Sequence, residues 1–212
     1  MKVSREQAAL NRERVVEIAA KLFREKGYNG IGVADLMKSA GLTHGGFYGN
    51  FASKETLLVE ACQHALQGSS ARWQRLIATA ATPADALSSI TGSYLSREHL
   101  ANPGLGCTLA ALGPDVGRQS DDVRHTFTQG AQAQLDLLAG VLQAAGAEAR
   151  TDGADARRLA IERYAAMIGA VVLARAVDDT TLADEILGVV TAAVQAGPAA
   201  GAGHAAAAAA AA

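Results

Sequence analysis

Between residues 11 and 196 the apolar side chains recur at steps of three and four, and nowhere settle into a convincing strand. That periodicity limits the chain to packed amphipathic helices. Val15, Ile18, Ala19, Leu22 and Phe23 form one such stripe, with Arg12, Arg14, Lys21, Glu25 and Lys26 on the other faces. Half of the 212 residues are apolar, yet only four Phe, four Tyr and one Trp are among them. Alanine supplies the bulk, and alanine at this density favours close-packed helices over sheet. The expected fold class is all-α.

Several function classes fall away. No apolar run reaches the ~20 residues needed to cross a bilayer. The segment Met1-Lys2-Val3-Ser4-Arg5-Glu6 runs straight into a charged helical pattern without a signal-peptide core. Cys62 and Cys107 are 45 residues apart with no CxxC, which excludes a disulfide framework and a cysteine zinc site. His64, His99 and His125 are too scattered to read as a metal site. No nucleophile motif, glycine-rich phosphate loop or HExxH occurs, so enzyme chemistry has no positive support. The expectation is a cytoplasmic protein, not an enzyme, with no catalytic residues, metal, cofactor or membrane partner.

Charge is distributed unevenly. Residues 1–54 carry nine Lys and Arg against five acids, a net +4, and hold every lysine of the chain. Residues 55–212 carry ten Arg against sixteen acids, a net −6. A basic head on an acidic body suits a segment that meets a polyanion and a remainder that does not. An ordinary solvated helix pair would carry such charges too.

Helix signals divide the chain further. Ser4-Arg5-Glu6-Gln7 has capping-box spacing, so a first helix starts there or near Asn11, and Gly27 suits its end. A second helix carries Val33, Leu36 and Met37 and ends at Gly41. Thr43 can cap a short third helix through Phe47 and Tyr48, and Ser53 can cap a long fourth to about residue 80. Thr82-Pro83 opens a helix reaching about His99. Breaks follow at Asn102–Gly106 and at Gly113-Pro114, flanking a short segment around Cys107. Further helices are expected over about 120–145, 154–177 and 181–196, with a loop over 146–153. This makes nine helices. The stretch 197–212 is Gly, Pro and Ala apart from His204, a compositional tail kept out of the fold.

The informative block is residues 31–54. Helix, glycine-bearing tight turn and short helix is the spacing of a helix-turn-helix, with Leu36, Leu42, Phe47 and Phe51 as internal anchors. Thr43, His44, Gly45, Gly46 and Tyr48 would project from the front of the second helix. Such geometry also occurs in proteins that bind no DNA, and Phe47 and Phe51 are plain core residues.

These residues resemble the TetR family of bacterial regulators. The resemblance rests on Ala19, Leu22, Phe23, Gly27-Tyr28, Val33, Ala40-Gly41-Leu42, Gly45-Gly46-Phe47-Tyr48, Phe51 and Ser53-Lys54-Glu55, and covers about residues 11–60. It implies a nine-helix, two-domain homodimer: a DNA-binding domain over 1–54, and an effector-binding and dimerisation domain over 55–196. It implies double-stranded operator DNA as partner, approached by Thr43, His44, Gly45, Gly46, Tyr48, Asn50 and Lys54. In this resemblance Thr43 caps the recognition helix and meets a phosphate, His44 and Gly45 face base edges, and Tyr48 and Lys54 meet phosphates. The chain departs from the family's common pattern at Gly32 and Gly49. Gly45, Gly46 and Gly49 weaken the recognition helix by roughly 1 kcal/mol each against alanine, so it is expected to order fully only on DNA.

In the body, Trp73, Tyr94, His99, Cys107, Phe127 and Tyr164 are the candidates to line a pocket for a small apolar or amphipathic effector. Each is also an ordinary packing residue. Cys107 could instead be a redox or electrophile sensor. Leu159, Ala166, Ala170 and Leu173, with Ile186, Val190 and Val194, form the stripe expected to pair two copies. The fourth helix is the one continuous element leaving the head, so an effector is expected to act by tilting it. The competing reading is an all-helical binding protein or enzyme that keeps a degenerate helix-turn-helix.

Overall fold

The computed structural model describes residues 4–146 and 153–196. Among these the elements are α1 (Arg5–Lys26), α2 (Val33–Ser39), α3 (Lys54–Thr79), α4 (Pro83–Tyr94), α5 (Arg97–Ala101), α6 (Thr108–Val116), α7 (Asp121–Ala145), α8 (Gly153–Ala176) and α9 (Thr180–Gln195). The tail over 197–212 and most of the loop expected over 146–153 lie outside the described residues.

Local chemistry sets most boundaries. The hydroxyls of Ser4, Ser53, Thr82 and Ser96 each accept a backbone N–H three residues on, and Asp179 accepts two for α9. Each such cap is worth about 1 kcal/mol. Gly27 and Gly41 turn the chain after α1 and α2 at φ of 73° and 71°, a region that favours glycine.

Three expectations change. The third helix is a single 3-10 turn, His44–Gly46, because three glycines within five residues leave little to hold a longer helix. The helix expected over 82–99 ends at Tyr94, and Ser96 caps α5 separately. The helix after Cys107 does not stop at Gly113-Pro114. It continues to Val116 with Pro114 inside, held by buried Leu112 and Val116 and by the Asp115 carboxylate, which accepts the Tyr28 N–H at 3.1 Å.

Apolar side chains gather in two clusters. The first joins α1, α2, the turn residues Phe47 and Phe51 and the opening turns of α3 to Leu112, Val116, Val123 and Phe127 of the body. Phe23, Phe47 and Phe51 are fully buried there, and truncating any to alanine would cost about 3–5 kcal/mol. The second joins Trp73 and α4 to the later turns of α7 and to α8 and α9. Glycine allows close approach at one crossing: a Cβ at Gly130 of α7 would lie 2.6 Å from Leu66 of α3. Five of the eight large apolar residues left exposed are Ile161, Val172 and Leu173 of α8 and Leu182 and Val189 of α9. One face of the α8–α9 pair therefore has no partner among the described residues.

Candidate functional site

The turn after α2 is built from the inside outward. Leu42 N–H reaches back to Met37 O at 2.9 Å, closing the reversal at Gly41. Phe47 is fully buried and packs on Phe51 at 5.6 Å between centroids, which anchors the short segment between them. Asn50 turns its amide inward and donates to Gly46 O at 2.7 Å, replacing a helical bond the glycines fail to secure. With that interior fixed, Thr43, His44, Gly45 and Tyr48 face outward, and Tyr48 is 67% exposed. The His44 and Tyr48 rings meet edge to face at 6.1 Å. Gly46 and Asn50 are half-buried.

Two residues make local arrangements that the sequence pattern did not foresee. Thr43 precedes the turn in extended backbone but makes no side-chain cap bond, so its hydroxyl is not spent on the turn. The Lys54 ammonium donates to Tyr28 O and lies 4.3 Å from the Tyr28 ring centroid. Partial burial lowers its pKa.

In the body, Trp73, Tyr94, His99, Cys107 and Tyr164 come together around one cavity between α3, α4, the 103–107 segment and α8. Trp73 meets Tyr164 and Tyr94 edge to face at 5.5 and 6.3 Å, and Tyr94 meets His99 at 4.8 Å. Phe127 is not with them. It belongs to the first cluster, because it lies two turns ahead of Gln134 on the same stripe of α7, at the end that packs beside α6 and the opening turns of α3.

His99 has both ring nitrogens occupied. Nε2 accepts the Cys107 N–H at 2.9 Å, which leaves Nδ1 as the donor to Tyr94 O. Burial lowers its pKa, and the acceptor role at Nε2 requires the neutral ring. His99 thus pins the cavity wall. The Cys107 thiol is buried and faces the Tyr164 hydroxyl at 3.7 Å. Burial of Cys62, in the first cluster, raises its pKa to about 12, which keeps it a protonated core residue.

The cavity wall is held by three arginines the sequence pattern did not single out, one of them from the head. Arg24 of α1 donates to Gly104 O and reaches the Thr108 hydroxyl at 3.5 Å. Arg175 of α8 donates to His99 O at 2.6 Å and Leu100 O at 3.2 Å, and Arg72 of α3 donates to Leu105 O at 3.2 Å. Three arginines on three helices hold one short segment. Helix α3 is therefore not the sole connection from body to head. Gln134 is the other missed residue, a fully buried amide on α7 in line with Phe127, Gly130 and Leu138. A polar residue on an apolar stripe was its available signal.

The stripe expected to pair two copies divides. Leu173 and Ala166 are exposed, and Leu159, Ile186 and Val190 are half-buried. Ala170 and Val194 point inward, 2% and 1% exposed, and serve the chain's own core. Broad apolar faces on both helices concealed which side turns outward.

Among the described residues no helix is long and apolar enough to cross a membrane, and no group of three potential metal ligands occurs.

Comparison with known proteins agrees with this architecture. The profile described as bacterial regulatory proteins, tetR family, matches residues 15–61. That described as tetracyclin repressor-like, C-terminal domain, matches residues 83–190, more than half of the chain. The HTH-type transcriptional repressor KstR2 of Mycolicibacterium smegmatis is 31% identical over 90 residues, covering 42% of each chain, so the match spans about two fifths of that relative's length. The HTH-type transcriptional repressor NemR of Escherichia coli K12 is 27% identical over 143 residues, 62% of this chain and 67% of that one. The crystal structure of E. coli NemR in its reduced form superposes with a TM-score of 0.75 at 25% identity, covering 89% of this chain and 98% of that one. A TetR-family regulator from Agrobacterium tumefaciens shares the fold with a TM-score of 0.76 at 22% identity, covering 89% and 97%. With both profiles matched in order along one all-helical chain, the protein belongs to the TetR family of bacterial regulatory proteins.

Proposed function

We propose that the protein is a homodimeric transcriptional repressor that grips a palindromic operator through residues 43–54 and releases it when a small molecule enters the Trp73–Tyr94–Tyr164 cavity. The carrying observation is physical continuity: Leu105, Gly106 and Cys107 line the cavity, and Arg24 of the head holds the same segment at Gly104 and Thr108. A ligand that displaces that segment pulls on α1 directly, in addition to any tilt of α3. Two copies pair through the outward face of α8 and α9, where Ile161, Leu173 and Val189 are left exposed among the described residues. Pairing sets the two turns about 34 Å apart, one helical repeat of DNA.

On DNA, His44 and Gly45 read base edges while Thr43, Tyr48 and Lys54 contact phosphates. The relatives' names as repressors support the sign of regulation. A gel shift against the protein's own upstream DNA tests the reading, with His44→Ala beside the parent protein. His44→Ala is expected to change the preferred sequence, whereas loss of a phosphate contact weakens all sequences alike. No retarded band at low salt refutes operator binding. Equal losses by His44→Ala on operator and random DNA remove His44 from base readout.

A further inference from the structure

The inner end of the cavity holds polar groups that the fold leaves poorly satisfied. Tyr94 and Gln134 both line it; Gln134 Oε1 is buried without a hydrogen-bond partner among the described residues, and the buried Tyr94 hydroxyl has beside it only the Cys107 thiol, a weak partner. Neighbouring polar groups are already engaged. Gln134 Nε2 donates to the Ser70 hydroxyl at 3.4 Å, both His99 nitrogens are occupied, and Arg72 donates to Leu105 O. The Cys107 thiol, a weak hydrogen-bonding group, faces the Tyr164 hydroxyl. A buried polar group without a good partner weakens a fold, so the two groups together point to something that completes them.

Complementarity restricts what that is. One atom that accepts from Tyr94 O–H and donates to the Gln134 carbonyl satisfies both; a hydroxyl does so. An ionised carboxylate has no hydrogen to offer and would set an oxygen against the Gln134 oxygen. An ether accepts but cannot donate. The inner cavity has room of about 30 Å³, enough for a hydroxyl-sized group, and no acid lines it. It shares Arg72, Ser93, His99 and Leu105 with a cleft of about 510 Å³. In that cleft Leu105, 63% exposed, and the Arg72 guanidinium offer an apolar surface and a cation for a flat ring.

We propose that this site binds a small neutral aromatic alcohol of the phenol class, its hydroxyl set between Tyr94 and Gln134 and its ring in the cleft against Leu105 and Arg72. The inference gives a ligand class to the cavity in the function proposed above and rests on that reading for its regulatory meaning, not for binding. Trp73, the single tryptophan of the chain, lines the cavity and reports occupancy.

The experiment titrates phenol, anisole and benzoate into the full-length protein, following Trp73 fluorescence with excitation beyond the phenol band. Phenol is expected to give a saturable change, with anisole and benzoate about tenfold weaker or worse. Tyr94→Phe should weaken phenol about tenfold. Gln134→Leu should remove the preference for phenol over anisole without lowering the melting temperature, because it also removes the orphan acceptor. Equal responses to the three probes, no saturable response, or unchanged phenol binding in Tyr94→Phe overturns the proposal and leaves the cavity to water. If Gln134→Leu does not fold, Tyr94→Phe decides. A gel shift with saturating phenol separates the two readings. Phenol bound without operator release upholds the ligand class and overturns the effector role; operator binding without any phenol response upholds the DNA-binding reading and overturns the ligand class.

Discussion

Two short 3-10 turns carry the proposed function, and they are built in opposite ways. At His44–Gly46 a Cβ added to Gly45 would meet nothing within 4 Å, and one at Gly49 would find its nearest neighbour at 3.7 Å. At Pro103–Leu105 there is no such room. A Cβ on Gly104 would lie 2.8 Å from Lys21, and one on Gly106 would lie 2.5 Å from the His99 ring. The first turn is held by Phe47 and Asn50 and left open toward solvent. The second is held by His99 and by arginines from α1, α3 and α8. Glycine serves flexibility in one and close approach in the other. A surface that must fit an external partner tolerates slack, whereas a segment that passes on a displacement cannot.

The sharpest way to break this contrast is to fill the crowded turn. Gly106→Ala drives a methyl into His99, whose ring is fixed at both nitrogens, and should cost about 1–3 kcal/mol in urea unfolding. Gly45→Ala, its counterpart in the open turn, should leave overall stability unchanged or slightly raised. Equal losses at both positions would erase the distinction.

Arg24→Met tests whether the crowded turn transmits. Operator affinity without ligand should be nearly retained, while the ligand-induced weakening, typically 5–150-fold for such coupling, falls toward one. Titrations of operator DNA with and without a releasing ligand give that ratio. An unchanged ratio reduces Arg24 to a structural tether and returns the signal to α3.

Acid should loosen the crowded turn and spare the open one. Burial lowers the His99 pKa, so the folded protein binds fewer protons than the unfolded chain once the pH falls below about 6.5. The stability His99 contributes is therefore present above that value and lost as the pH drops toward its folded pKa. His99→Gln should flatten this part of the stability–pH curve. A curve of unchanged slope would remove His99 from the account.

The smallest effect belongs to the open turn. Gly49→Ala, where a methyl has ordinary clearance, should favour helix there by up to about 1 kcal/mol and tighten operator binding up to fivefold in gel shifts. Weaker binding would mean that the segment must keep its freedom on DNA.

What could be read in advance follows the same division. Caps at Ser4, Ser53 and Thr82, the left-handed turns at Gly27 and Gly41 and the anchors Phe47 and Phe51 are local features, and the structure carries all of them. Five of six cavity candidates converge because large aromatic side chains have few places to go in an alanine-rich body. The rest depended on partners distant in sequence. Nothing in its own neighbourhood marked Arg24, whose partner Gly104 lies eighty residues on. Nothing near Lys54 in sequence announced that its ammonium bonds the Tyr28 carbonyl. Ala170 and Val194 could not be told from outward residues on helices apolar on several sides.

The first apolar cluster has a consequence for anyone building chimeras of such regulators. Leu112, Val116, Val123 and Phe127 of the body share an interior with Phe23 and Leu58, so no cut at residue 54 separates two finished surfaces. A head transplanted at that point would expose one half of a core and meet a foreign other half. Operator specificity is portable here only if α6 and the first turns of α7 travel with the head, or if the exchange is confined to the few outward side chains of the 43–48 turn.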